Sequence, residues 1–339
     1  DDEVTGFAAP TDNGDGTFDG VDQLDVRGLQ DLSGNPVNNI DAVVTSDADG
    51  NAVLNFPGGE SLTLIGVSPA AISDPAALAA MGIPEPGPVD GTAGPDIINT
   101  GYLGDPEGDL IDANDAADLS NDDTVLAGDG NDSIDSGIGN DLIFAGSGDD
   151  EIFLDAVLQN DTIYGGEVGE IAGEGDRINF SAISTPLTIN FTAPEAGTIT
   201  DGTSVTEFFE IERFQMGTGS DTVIGSDGVE EIIGNYGNDS IIAGGGNDTV
   251  FSGFDDDYVE GGAGDDSLVA SSGADTIDGG TGDDQIDLGP GDGEVDVLVL
   301  QDGSGAEFVS SFEAPIDNGN GTFDGRDLFD VSGLNDASG

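Results

Sequence analysis

Residues 216–287, written in blocks of nine, read MGTGSDTVI GSDGVEEII GNYGNDSII AGGGNDTVF SGFDDDYVE GGAGDDSLV ASSGADTID GGTGDDQID. The sixth residue of every block is acidic, and the eighth is always valine, isoleucine or leucine. Residues 118–153 form four more blocks with the same pattern. A repeat this short and regular predicts a solenoid, in which each block is one structural unit stacked on its neighbours.

Each block is predicted to form one short strand and one tight turn. In the strand, the aliphatic residue at position eight points inward while its two neighbours point outward. The glycine-rich part turns the chain, because glycine reaches positive φ without steric cost. Two blocks would complete one coil, so that strands stack as two parallel sheets and the acids at position six form columns. The sequence therefore predicts an all-β fold, a parallel β-roll.

The blocks follow the pattern G-G-x-G-x-D-x-U-x, where U is aliphatic. On these residues the chain resembles the RTX (haemolysin-type, glycine-rich nonapeptide) calcium-binding repeat proteins that bacteria secrete, over roughly residues 91–300. The resemblance implies calcium ions between successive turns, bridged by the aspartates at position six. It gives ligand roles to Asp123, Asp132, Asp141, Asp150, Asp161, Asp221, Asp239, Asp248, Asp257, Asp266, Asp275 and Asp284.

The composition favours the same ion. The chain has 71 acidic residues, 4 basic ones and a formal charge of -67, which is too much repulsion for a compact fold without cations. Without histidine or cysteine, the repeats offer only oxygen ligands, which suit Ca²⁺ rather than zinc, copper or iron. An isolated Gly-Asp-Asp is an ordinary turn, but twelve copies in frame favour calcium. Glu230 is the one departure from aspartate, and the flanking acids Asp149, Asp256, Asp265 and Asp283 are expected on a solvated face.

Several classes of function are disfavoured. With no histidine, cysteine or lysine, the sequence lacks the usual catalytic bases and nucleophiles, so we predict that it is not an enzyme. A glycosidase that uses paired carboxylates remains formally possible. The acidity argues against nucleic acid as a partner, and no apolar run approaches the ~20 residues that insertion into a membrane requires.

Composition and pattern divide the chain into five parts. Residues 1–90 are predicted to be a small antiparallel β-module, with strands near 42–44, 52–56 and 61–67 and one short helix at 74–81. Residues 91–183 and 216–305 are two RTX blocks, separated by a β-strand insertion at 184–215. Two segments, 101–117 and 154–215, are expected to leave the nine-residue register. Residues 306–339 are expected to begin a second copy of the first module.

That last expectation comes from a long repeat. Residues 7–34 and 312–339 are identical at 19 of 28 positions, at a constant offset of 305. The chain is therefore expected to be one full unit and the start of the next, taken from a tandem array.

The predicted function is that of a secreted, calcium-stabilised structural or adhesive repeat protein at the cell surface or outside the cell. It would be a unit of a tandem fibre, filament or surface layer, with neighbouring copies of itself as partners. The alternative is a calcium-binding accessory or secretion domain of a larger type I-secreted enzyme or toxin. A third interpretation is adhesion to a cell-surface or matrix ligand through residues 1–90 or 184–215. No sequence feature in these two segments identifies the ligand.

Overall fold

The fold is described from a computed structural model. The structure describes residues 2–5, 9, 11–12, 18–19, 24, 42–56, 59–73, 77–78, 81, 88–102, 104–105, 111, 121–166, 175–289, 294–301, 305–314, 316–317, 323–324 and 327–333. The chain forms two compact units. Unit 1 comprises residues 1–91 and 99–126, and unit 2 comprises residues 92–98 and 127–339. Strands are numbered in chain order.

Unit 1 contains a four-stranded sheet with the order β1-β6-β5-β4. Its strands are β1 (Asp2–Thr5), β4 (Val43–Ser46), β5 (Ala52–Asn55) and β6 (Ser61–Ile65). The predicted antiparallel meander is confirmed for β4, β5 and β6, and the sequence did not reveal that β1 joins them in parallel. The turn after β4 is closed by Asp47, whose Oδ1 accepts the N–H groups of Asp49 and Asn51 at 2.9 and 2.8 Å.

The sheet of unit 1 covers a small apolar core. Leu54, Leu64, Ile72 and Met81 are fully buried in it, and the half-buried Leu24 packs against it. A 3₁₀ turn, Pro69–Ala71, follows β6. Of the predicted helix 74–81, only residues 77, 78 and 81 are described, and the N–H of Met81 donates to the carbonyl of Ala77 at 3.2 Å. The rest of that predicted helix lies outside the described residues.

Two further strand pairs belong to unit 1. The hairpin of β2 (Thr11–Asp12) and β3 (Phe18–Asp19) pairs Thr11 with Asp19. Strand β7 (Val89–Asp90) pairs in parallel with Val125 and Leu126. No helix in the described part of the chain is long and apolar enough to cross a membrane.

Unit 2 is a parallel β-roll made of two sheets, which confirms the predicted fold class. In spatial order, sheet 1 contains β28 (Phe308–Ser310), β26 (Gln285–Asp287), β24 (Ser267–Ser272), β22 (Thr249–Phe254), β20 (Glu231–Ile233), β18 (Arg213–Gln215), β14 (Arg177–Asn179), β12 (Glu151–Phe153), β10 (Ser133–Asp135) and β8 (Ile97–Ile98). Sheet 2 contains β31 (Leu328–Gly333), β27 (Val297–Gln301), β25 (Thr276–Thr281), β23 (Tyr258–Ala263), β21 (Ser240–Gly245), β19 (Thr222–Ile224), β15 (Thr188–Ala193), β16 (Ala196–Thr200), β17 (Val205–Phe209), β13 (Thr162–Tyr164), β11 (Leu142–Ser147) and β9 (Thr124–Asp129). Along the sequence, β28 of sheet 1 is followed by a hairpin of β29 (Ile316–Asp317) and β30 (Phe323–Asp324), and then by β31 of sheet 2.

The register of both sheets follows from the nine-residue repeat. In sheet 2, Ile241 pairs with Val259 and Val259 with Ile277, so partners are two blocks apart. In sheet 1, Val250 pairs with Leu268 in the same way. Position-eight residues therefore alternate between the sheets and fill the space between them, where these five side chains are essentially inaccessible to solvent. Two blocks complete one coil, as the repeat predicts.

Glycines in the turns allow successive coils to stack closely. Gly264 has φ +139°, and a Cβ atom on it would collide with the main-chain oxygen of Gly246 in the coil before. A Cβ atom on Gly282 would collide with the main-chain oxygen of Gly264 in the same way. These positions require glycine for two reasons: the backbone has a positive φ angle, and the neighbouring coil approaches too closely for a side chain.

We predict that Gly264→Ala lowers the free energy of unfolding by about 1–3 kcal/mol more than Gly202→Ala does. Both glycines have positive φ, but a Cβ on Gly202, in the turn between β16 and β17, would meet nothing within 4 Å. The difference between the variants therefore isolates the contact between coils. Urea unfolding in saturating calcium measures it, and equal losses would contradict the stacking.

Residues 154–215 contribute strands to the stack despite their irregular spacing. This segment loses the nine-residue spacing, yet β13, β14, β17 and β18 still occupy places in the stack. Their aliphatic or aromatic residues remain inward because only the loops between the strands have changed in length. The predicted insertion is one extra antiparallel strand, β16, between β15 and β17 within sheet 2.

The core next to this insertion is aromatic. The rings of Phe191, Phe208 and Phe214 meet edge to face at 5.1–5.2 Å. On the outer face of sheet 1, Arg213 lies 2.8 Å from Glu231, and Arg177 lies 3.6 Å from both Glu151 and Glu231. Packing and ion pairs thus hold the roll together where its repeat is interrupted.

Candidate metal centre

The acids at position six lie directly before the strands and are buried. Asp239, Asp248, Asp257, Asp266 and Asp275 are each at most 3 % exposed. Each uses one carboxylate oxygen in the same way, as the acceptor for the N–H of the position-six residue one coil earlier. The N–H of Asp239 donates to Oδ1 of Asp257 at 2.9 Å, and that of Asp248 to Oδ1 of Asp266 at 2.9 Å. The acids therefore form two columns, one beside each sheet.

Column 1 precedes the strands of sheet 1 and contains Asp96, Asp132, Asp150, Asp176, Glu212, Glu230, Asp248, Asp266, Asp284 and Glu307. Column 2 precedes the strands of sheet 2. It contains Asp141 and Asp161 before the insertion and Asp221, Asp239, Asp257, Asp275, Asp296 and Asp327 after it. Between these two runs, position six is held by Thr206 and Leu187, so column 2 lacks carboxylates at that point.

Ten members of the columns have a second carboxylate oxygen that is buried and accepts no hydrogen bond within the described part of the chain. This holds for Oδ2 of Asp132, Asp150, Asp221, Asp239, Asp248, Asp257, Asp266, Asp275 and Asp284, and for Oε2 of Glu230. A buried anionic oxygen without a partner costs several kcal/mol. The repetition of this arrangement along both columns indicates that a cation supplies the missing partner.

The turn leaves room beside that oxygen. A Cβ atom on Gly234 would lie 2.7 Å from Oδ2 of Asp239, and one on Gly261 would collide with Oδ2 of Asp266. A side chain at these glycines would therefore occupy the space in front of the carboxylate. Glycine at position one keeps this space open next to the main-chain carbonyls of the turn.

Burial raises the pKa of these carboxyl groups when no cation is present. The pKa of Asp239 is raised to about 8, mainly by burial and further by the neighbouring charges of Asp221 and Asp257. For the same leading reason the pKa is about 7 at Asp248 and Asp275, and about 6 at Asp257 and Asp266. At neutral pH the columns therefore need either protons or cations.

The donor set fits calcium. It consists of oxygen alone, in irregular turns that can provide the six to eight ligands that Ca²⁺ takes. Among the described residues, no three acidic side chains come together to hold an ion by themselves. A site in the columns would therefore combine the carboxylates of successive coils with main-chain carbonyls.

A family model described as the RTX calcium-binding nonapeptide repeat (4 copies) matches residues 119–152, 224–259 and 260–295. These are RTX repeats. They bind calcium, and their number implies several ions. No curated protein matches the chain. RTX repeats are typical of secreted proteins.

The structure brings most of the predicted ligands of the RTX repeats into the columns. Asp132, Asp150, Asp248, Asp266 and Asp284 lie in column 1, and Asp141, Asp161, Asp221, Asp239, Asp257 and Asp275 in column 2. Asp123 is buried just before β9. Their roles as individual ligands stay a prediction. Asp161 differs from the others because its Oδ2 lies 3.4 Å from the hydroxyl of Thr206.

Sequence reasoning missed six members of the columns. They are Asp96, Asp176, Glu212, Asp296, Glu307 and Asp327. None lies in a regular block, but each is followed two residues later by an inward-pointing apolar residue, as Asp176 is by Ile178. The triplet of acid, any residue and apolar residue was the signal that could have found them.

Two of the acidic residues depart from the common arrangement. Glu230 is buried in column 1, but its Oε1 accepts a hydrogen bond at 2.5 Å from the hydroxyl of Ser226 in its own turn. Glu307 follows Asp284 in column 1, and its pKa is raised to about 7 by burial and by the charge of Asp284. A glutamate in this position reaches further into the turn than an aspartate does.

The acids at position five form a second, outer row. The Oδ1 atoms of Asp256, Asp265 and Asp283 accept the N–H groups of Ala274, Asp283 and Ala306, each at 2.9 Å. These carboxylates are exposed or half-buried, as expected of a solvated face. Their hydrogen bonds nevertheless support the stacking of the turns.

The two rows provide a matched pair of variants, Asp257→Asn and Asp256→Asn. Both retain an oxygen that can accept the hydrogen bond, but only the first replaces the buried, unpaired oxygen. We expect Asp257→Asn to weaken calcium binding at its site by at least about tenfold and Asp256→Asn to change it little. In chelator, the Asp257→Asn chain should regain β structure at a higher pH than the wild type does, because it has one buried carboxyl group fewer to protonate.

Calcium titration by calorimetry, and circular dichroism of the chelated chains as the pH falls, measure the two effects. Equal changes in both variants would mean that the buried oxygen has no special role.

Proposed function

We propose that the chain is a structural or adhesive repeat unit of a calcium-stabilised fibre, filament or surface layer outside the cell. The observation that carries the proposal is the repeat of residues 7–34 at 312–339, on either side of one continuous roll. The backbone repeats as well, since β2 pairs with β3 in the same register as β29 with β30, at an offset of 305. Such a repeat lets one module follow another along a tandem chain.

Two properties of the roll support this role. Each coil is tied to the next through both sheets and, except where column 2 is interrupted, through both columns, so the stack is a stiff body once its charges are neutralised. Calcium is scarce in the cytosol and abundant outside cells, so a chain of charge -67 would fold after export. We propose neighbouring copies of the unit as its partners and no catalytic activity in this chain.

A second candidate is a calcium-binding accessory or secretion domain of a larger type I-secreted enzyme or toxin. The match to the RTX repeat model favours it, because such repeats also accompany catalytic domains. The two candidates differ in self-association: a fibre unit needs contacts between copies, whereas an accessory domain does not.

The test is light scattering and electron microscopy of the chain during calcium titration, with magnesium as the control. We expect the mass to grow above 34.0 kDa in calcium, with linear particles, and to remain at that value in magnesium. A chain that remains a folded monomer at saturating calcium and high concentration would overturn the fibre proposal and favour the accessory role.

A further inference from the structure

The C-terminal copy of the long repeat supplies the last strand of sheet 2. Strand β31 pairs in parallel with β27, with Val297 opposite Leu328 and Leu298 opposite Phe329. The N–H of Leu328 donates to the carbonyl of Asp296 at 2.7 Å, and Oδ1 of the buried Asp327 accepts the N–H of Asp296 at 3.3 Å. The strand therefore continues both the sheet and column 2.

Side-chain burial contributes little to holding β31. Leu328, Phe329 and Val331 are 50–52 % exposed, although Phe329 stands where other coils have a fully buried aliphatic residue. Main-chain hydrogen bonds, the Asp327 carboxylate and the stacking of the Phe329 ring on that of Phe312, with 4.5 Å between ring centroids, thus make most of the attachment. Another segment with the same pattern could make the same bonds.

The N-terminal copy has that pattern. At the offset of 305, Asp22 corresponds to Asp327, Leu24 to Phe329 and Val26 to Val331. The acid that enters the column and the two apolar residues of the strand are thus retained. Gln23 takes the place of Leu328, whose contribution to the pairing is its main-chain N–H.

Contacts of Leu24 in unit 1 are compatible with such pairing. The N–H of Leu24 donates to the carbonyl of Met81 at 2.6 Å, and its half-buried side chain packs against the core of the module. In a strand, successive N–H groups point to opposite edges. The bond to Met81 uses the N–H of Leu24, whereas pairing with β27 would use the N–H one residue earlier, the one that corresponds to the N–H of Leu328.

We infer that the edge of sheet 2 at β27 is a strand-addition site for residues 22–28 of a second copy of this chain, in the register that β31 occupies. The second copy would add its strand to the edge when β31 is displaced, a mode of recognition in which main-chain bonds give affinity and side chains give register. This inference rests on the proposed self-association and specifies the contact through which it occurs.

Cross-linking of the full chain tests the register. The chain has no cysteine, so single cysteines can be introduced cleanly. One variant carries Leu328→Pro, which removes the N–H donor of β31, together with Val297→Cys. The second carries Gln23→Cys alone, and its control carries Thr203→Cys in an exposed turn of the insertion.

The variants are mixed in calcium and treated with a short bismaleimide. We expect a cross-linked product of about twice 34.0 kDa between positions 297 and 23, at a yield about tenfold above that with position 203. Equal yields from the two partners would overturn the inference. Wild-type assembly in calcium together with equal yields would refute this contact and leave the proposed function standing.

A labelled peptide of residues 7–34 provides a second measurement by fluorescence anisotropy. It should bind the Leu328→Pro chain about tenfold more tightly than the wild type, whose edge is occupied, and a Gln23→Pro peptide should bind neither. Should Leu328→Pro lose the roll, Phe329→Ser keeps every main-chain donor, loosens β31 and serves in both measurements. No difference between the peptides with either chain would also overturn the inference.

Discussion

Removal of calcium with a chelator at pH 7.5 is expected to unfold the roll of unit 2. Without cations, the columns place carboxylates in buried positions one coil apart, and the second oxygens of ten of them have no hydrogen-bond donor in the described structure. Each such charge costs several kcal/mol, and the total far exceeds the 5–15 kcal/mol that stabilises an ordinary domain. We therefore expect loss of most of the β signal in far-ultraviolet circular dichroism.

Calcium at millimolar concentration should restore that signal, and magnesium should not. Mg²⁺ demands octahedral geometry and gives up its water reluctantly, which suits a site built from carbonyls and shared carboxylates poorly. A β spectrum that is unchanged in chelator would show that the columns do not depend on a cation, and the central interpretation would fall.

Acid is expected to replace calcium. In the metal-free chain, the pKa values of the column aspartates are raised to about 6 at Asp132 and Asp150, about 7 at Asp248 and about 8 at Asp239. For an acid whose pKa is higher in the folded state, folding is relatively favoured when the acid is protonated. This contribution to the free energy of folding is fully present at a pH below about 4, the pKa of the acid in the unfolded chain. It is lost as the pH rises through the pKa of the acid in the folded chain. For Asp239 it amounts to on the order of 5 kcal/mol.

The chelated chain should thus gain β structure as the pH falls from 8 to 5. The measurement is circular dichroism at low protein concentration, with a calcium-saturated sample as the control, because that sample should show no such gain. Metal-free protein that remains unfolded throughout this range would contradict the assignment of burial as the cause of the raised pKa values.

The sequence was sufficient to predict the parts of the fold that repeat. A single aliphatic residue such as Ile241 and a single acid such as Asp239 in each block fix the strand, the inward face and the column. Their partners lie at a constant distance of 18 residues, so pairing follows from the period. The meander of unit 1 could also be predicted, because its turns are local.

Pairings across variable loops could not be predicted. Thr206 follows Asp161 in the stack by 45 positions, and β16 lies between strands that belong to different coils. The column members Asp176 and Asp296 were not predicted because the loops before them change the nine-residue spacing, although the local triplet of acid, any residue and apolar residue is retained. Length variation in a turn costs little free energy, so it is tolerated where the strand and its acid are kept.

The interruption of column 2 at Leu187 and Thr206 divides the ions of one edge into two groups, whereas column 1 runs past the same point without a break. Along an unbroken row, each carboxylate would bridge two neighbouring ions. When one ion leaves, its neighbour loses that bridge, so depletion can spread from either end. At the insertion, the edge-to-face rings of Phe191, Phe208 and Phe214 need no ion at all. Erosion of column 2 that starts at one end would therefore halt at this aromatic segment, and the ions of that column on the far side would outlast a brief fall in calcium.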